Sequence, residues 1–100
     1  MSREAAARKC VEKLVSDLER IKKEYINEGS YGTAGCYWQR ALFGNGFYTH
    51  RESIKELHCG NNFVHCAEIL LDDLKKESFN NSAYEMLKVC AVQTKLKGGN

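Results

Sequence analysis

The chain contains no proline. Nothing therefore bars a helix interior, and helices run until glycine or a cap ends them. Long apolar runs are missing too. None approaches the roughly 20 residues that a membrane span requires, so no membrane association is expected. The opening stretch MSREAAARKCVEK interrupts its apolar residues with charges every few positions, which excludes the apolar centre of a secretion signal. Nor does one sign of charge dominate. Fifteen basic and 13 acidic side chains leave a net +2, too small to indicate nucleic-acid or membrane binding by composition. Five cysteines, an odd number, cannot all pair within the chain. Free thiols in a reducing cytoplasmic compartment are the expectation.

The most local absence is of carboxylates. From Gly29 to Arg51, GSYGTAGCYWQRALFGNGFYTHR, there are none. That stretch holds five of the eight glycines and six of the ten aromatics: Tyr31, Tyr37, Trp38, Phe43, Phe47 and Tyr48. Its basic groups are Arg40, His50 and Arg51. Glycine loosens the backbone while aromatic rings supply contact area, so recognition is placed here. The plainer alternative is that Trp38, Phe43 and Phe47 plug one end of a helical bundle.

Helix signals fill the rest. A first helix is expected from Arg3 to Asn27, with Ser2 as N-cap and Glu4 in its first turn. Its apolar positions Ala7, Val11, Leu14, Leu18, Ile21 and Tyr25 recur at steps of four and three, widened by Cys10 and Val15. At about 1.5 Å per residue this helix spans about 37 Å, long for a small domain. The seam Val11, Leu14, Leu18 and Ile21 is accordingly expected to pack the core and to offer a surface to a second copy.

A short second helix is expected over Ala34 to Phe43, stopped by Gly44, with a hairpin around Gly44-Asn45-Gly46 as the alternative for residues 42–48. Thr49-x-x-Glu52 reads as a capping box for a third helix ending at Gly60. Asn61 or Asn62 caps a fourth through Glu77, with Phe63, Ala67, Leu70 and Leu74 on its apolar stripe. Ser82-x-x-Glu85 opens a fifth, with Tyr84, Leu87, Cys90 and Ala91 inward and Gly98-Gly99 as its stop. Short connections make sequential helices antiparallel. The expected fold is all-α: one domain over residues 1–100, a compact bundle of four to five helices with a long N-terminal helix.

Several side-chain pairings suggest chemistry, and each has a plainer reading as packing or connection. His58-Cys59 and His65-Cys66 bring two zinc-binding residue types together, but neighbours on a helix diverge by about 100°, so no metal is expected. Cys36 near a helix start, with His50 as base, is the best nucleophile pair, and nothing in the spacing joins them. Gly29 to Gly35 resembles a phosphate loop only in its glycines; no preceding strand and no following lysine support it, and the stretch reads as a flexible connection. No cofactor and no catalysis are expected. The expected role is binding another protein, as an adaptor, regulator or inhibitor of a larger machine. Tyr31, Tyr37, Trp38, Arg40, Phe47, Tyr48 and Arg51 form the expected contact surface, in keeping with the frequency of Trp, Tyr and Arg at interface hot spots. The alternative is single-stranded nucleic acid or a small anionic ligand, held by Arg40, Arg51 and the same aromatics. Lys88, Lys95 and Lys97 add a mild basic patch.

Overall fold

Ser2 begins the first helix as its side chain dictates, Oγ accepting the Ala5 amide at 3.0 Å. In the computed structural model, which describes residues 2–94, helix α1 covers Arg3–Ile21. Lys95, Lys97 and the Gly98-Gly99 stop lie outside the described residues. From Ile21 the chain passes into one π-helical turn, Lys22–Ile26, so the rod runs 24 residues as the seam predicts. The Asn27 amide reaches back five residues to the Lys22 carbonyl at 2.9 Å. That wider turn shifts the register, burying Ile26 and leaving Tyr25, the expected next seam position, half-buried.

Among the described residues four helices follow: α2 Tyr31–Gly44, α3 Arg51–Leu57, α4 Asn61–Lys75 and α5 Asn81–Val92. The glycine-rich connection is thus largely helix: α2 starts three residues before Ala34 and carries Gly32 and Gly35 inside it. Residues 42–48 form no hairpin. The Phe47 amide bonds the Leu42 carbonyl at 3.0 Å and the Gly46 amide bonds that of Phe43 at 3.3 Å, with Gly46 at φ 79°. This is a Schellman stop, and it brings the buried side chains of Phe47 and Leu42 to the same end of the helix.

Neither capping box forms. The residue before α3 is His50, without a side-chain cap bond, and α5 is capped by Asn80, whose Oδ1 accepts the Ala83 amide at 2.9 Å. Thr49 and Ser82 are each displaced from the cap by the length of the preceding turn. At α4 the cap position is Gly60, with Asn61 and Asn62 already in the first turn.

Helix α4 packs between α2 and α5, and α1 crosses α2, α3 and α5. Leu14, Leu18, Ile21, Trp38, Leu42, Phe47, Ile54, Leu57, Phe63, Leu70, Leu74 and Leu87 fill one continuous core. Gly35 lets α2 approach α4 closely: a Cβ there would stand 3.3 Å from Leu74 Cβ. The all-α bundle with a long first helix is therefore the architecture observed. The oligomer seam is corrected. Val11, Leu14, Leu18 and Ile21 are all fully buried within this chain, because α3 and α5 lie across the face that a lone helix would have left open. They have no surface to give a second copy.

Candidate functional site

The carboxylate-free segment divides by helix periodicity. Along α2, Ala34, Trp38, Ala41 and Leu42 turn inward. Cys36, Arg40 and Phe43 stand at intervals of four and three on the opposite side and are exposed, with Gln39 between them half-buried. Two expected contact residues are thereby removed from the surface. Trp38 is 0% exposed, its Nε1–H donating to the Ala67 carbonyl at 3.0 Å. Phe47 is also 0% exposed, folded in by the Schellman stop. The large apolar area of both rings is worth more inside a small core than outside it.

The remaining expected residues fall in three places. Tyr31 and Tyr37 are half-buried against the core. Tyr37 stacks on Tyr25 with centroids 4.9 Å apart, and the Arg40 guanidinium lies 5.6 Å from the Tyr37 ring. A hydrogen bond to Tyr37 raises the Tyr25 hydroxyl above the usual tyrosine range. Tyr48 is 38% exposed, set edge-on against Phe47 and tilted against Phe43 at 4.9 Å. Burial, then Glu68, pushes the Tyr48 hydroxyl up, against the opposing pull of Arg51. Arg51 is half-buried and lines a separate depression with Lys55, Asn61, Val64, His65 and Glu68.

Phe43 is the residue that the sequence did not single out for contact. At 64% exposed it is the aromatic ring most open to water. Its signal was present: Phe43 follows Cys36 by seven and Arg40 by three, whereas Trp38 and Leu42 share the inward phase. With Cys36, Gln39 and Arg40 it lines a shallow depression of about 400 Å³. Asn45 fixes the adjoining corner, its Nδ2 donating to Asp17 Oδ2 at 3.0 Å and to the Ala41 carbonyl at 2.9 Å. A second apolar strip, Met86, Val89 and Val92, lies exposed on α5.

The other candidate chemistries are separated by the fold. His58 is buried and His65 exposed, and no group of three or more His, Cys, Asp or Glu among the described residues is placed to hold a metal ion. Cys36 lies on the outward strip, while His50 packs under Gly46, its Cδ2 3.2 Å from where a Cβ would be. No hydrogen bond joins them. Arg40 and Arg51 line different depressions, so the anion pair expected from the sequence is split between α2 and α3. No helix among the described residues is long and apolar enough to cross a membrane.

No protein-family model, curated protein or solved structure matches this chain.

Proposed function

We propose that this chain is a cytoplasmic protein-binding module, a regulator or adaptor without catalytic activity, whose contact surface is the outward strip of α2 and the turn after it. Phe43 and Tyr48 are its apolar anchors, Arg40 and Tyr37 its polar rim, and Cys36 and Gln39 its floor. One observation carries the reading: Phe43 stays 64% exposed beside an available core, on a strip whose only charge is Arg40. Covering that ring is worth about 1–2 kcal/mol on area alone. Its tilted neighbour Tyr48 adds a second ring of the type that dominates interface energetics. With a cation and no carboxylate on the strip, the fitting partner is a protein segment with an aliphatic side chain for the Phe43–Tyr48 pair and an acidic group for Arg40.

The test is site-specific photocrosslinking in the native host, with a crosslinking residue at Gln39 and a control at Glu12 on α1. A single discrete protein crosslinked from Gln39, lost on Phe43→Ala and weakened by Arg40→Glu, supports the reading. Equal labelling from both positions removes it. Crosslinks to nucleic acid that vanish with added salt favour the phosphate-binding alternative instead.

A further inference from the structure

Away from α2, helix α5 keeps one face in water. Ala83, Tyr84, Leu87 and Cys90 turn inward, against α4 and α1, and Lys88 reaches across to Glu19 at 3.8 Å. The opposite face carries Glu85, Met86, Val89, Val92 and Gln93, at steps of three and four from Val89, and all five are exposed. Val92 is 81% exposed, Val89 44% and Met86 39%. These are three of the five large hydrophobic side chains that stand exposed among the described residues. The other two, Phe43 and Tyr48, belong to the α2 surface, from which α4 separates α5. Contiguous apolar residues left in water mark a contact site.

Two features indicate what covers this one. The strip is symmetric about Val89: Met86 and Glu85 stand three and four residues before it, Val92 and Gln93 three and four after it. A second copy laid antiparallel brings Val89 against its own counterpart. It also sets the Glu85–Met86 end of one helix over the Val92–Gln93 end of the other. Charge favours the same arrangement. Glu85 is the only ionisable side chain on the strip. At about 1.5 Å per residue, antiparallel helices hold the two carboxylates about 12 Å apart along the axis, beyond the Debye length of about 10 Å. Parallel helices would put them side by side. Gln93 meets the carboxylate as a donor. Its Oε1 accepts the Cys59 thiol at 3.6 Å, which leaves the amide N–H groups for Glu85 of the second copy.

We propose that the outward face of α5 is a self-association surface, on which two copies of this chain pair their α5 helices antiparallel about Val89. The same patch is used on both copies, so the contact closes at two and builds no larger assembly. Its strength follows from its size. Three partly exposed apolar side chains from each copy fall short of the roughly 1,200 Å² that the smaller stable interfaces bury. The dimer is therefore weak: it forms as concentration rises and dissociates on dilution. The α2 surface takes no part in it and stays free for another protein.

The full-length chain carrying Cys36→Ser, which removes the exposed thiol, is followed by sedimentation velocity from micromolar to millimolar concentration. A reversible shift from monomer to dimer, with no larger species, is expected. Val89→Glu alters an exposed position and sets two like charges on the axis, so association is expected to weaken by about tenfold or more. Circular dichroism checks that its helicity is unchanged. Phe43→Ala is expected to leave association as it was. Disulfide trapping reads the geometry independently of Val89→Glu. Under mild oxidation Val89→Cys is expected to link two copies quickly, whereas Glu85→Cys links them far more slowly. Equal rates at the two positions mean parallel pairing or random collision, and overturn the proposal. So does a chain that sediments as a monomer throughout, or association that survives Val89→Glu or is lost with Phe43→Ala.

Discussion

Trp38 Nε1–H donates to the Ala67 carbonyl at 3.0 Å across the contact between α2 and α4, and both side chains are wholly buried. The bond meets the one polar requirement of the largest ring in the core, so the indole can be sealed from water. Trp38→Phe is expected to cost about 1–3 kcal/mol, from one hydrogen bond and a small cavity, and Trp38→Ala about 3–5 kcal/mol. Urea denaturation followed by circular dichroism reads both. A Trp38→Ala variant as stable as the parent would place the indole outside the core.

Phe43 and Phe47 are four residues apart and opposite in fate. Phe47→Ala removes a fully buried ring and is expected to cost about 3–5 kcal/mol. Phe43→Ala removes one that is mostly in water and is expected to change stability by less than about 1 kcal/mol. The same denaturation experiment separates them. Equal losses would mean that the ring of Phe43 is covered in solution.

Periodicity made the helices, the inward stripe of α4 and the length of the first rod legible, because a 3.6-residue repeat is a property of the sequence itself. It also held the answer for α2, where Trp38 and Leu42 share one phase and Cys36, Arg40 and Phe43 the other. Composition pointed the other way. The glycine and aromatic content of Gly29 to Arg51 suggests one loosened, ring-bearing surface, whereas Gly32 and Gly35 are helical and Trp38 faces inward. Thr49 and Ser82 misled for a different reason: a capping box names a residue pattern, and turn length decides which residue reaches the cap. The seam of α1 was correctly apolar, but no single helix shows how many neighbours will cover it.

Glu77 ends α4 in a conformation suited to glycine. Its φ is 61°, its amide bonds the Leu74 carbonyl at 3.0 Å, and the following Ser78 amide bonds that of Asp73 at 2.9 Å. Gly46 occupies the equivalent place after α2. Because a Cβ in left-handed backbone costs about 1–2 kcal/mol, partly offset by the entropy of glycine, Glu77→Gly is expected to raise stability by roughly 0.5–1 kcal/mol. A fall in the urea midpoint would show that the carboxylate, not the backbone, matters at this helix end.

His58 gives the fold a dependence on pH. Burial lowers its pKa below the ordinary 6.5, outweighing the bond to the Cys90 carbonyl; Arg8 on α1 lowers it further and Glu12 opposes. Nδ1 donates to that carbonyl, so the neutral ring leaves Nε2 as an acceptor without a partner. Above pH 6.5 the imidazole is neutral folded and unfolded, and its contribution to stability is constant. Below it the unfolded chain takes up a proton that the folded chain refuses, so stability falls, by at most about 1.4 kcal/mol per pH unit for one group, until the folded pKa is passed. Urea midpoints measured from pH 7.5 to 5 are expected to decline in that direction. His58→Asn, which keeps a donor for the Cys90 carbonyl and cannot titrate, is expected to flatten the decline. An NMR titration of the His58 ring supplies the independent check. A ring that protonates above pH 6.5 in the folded chain would reverse the sign of the effect.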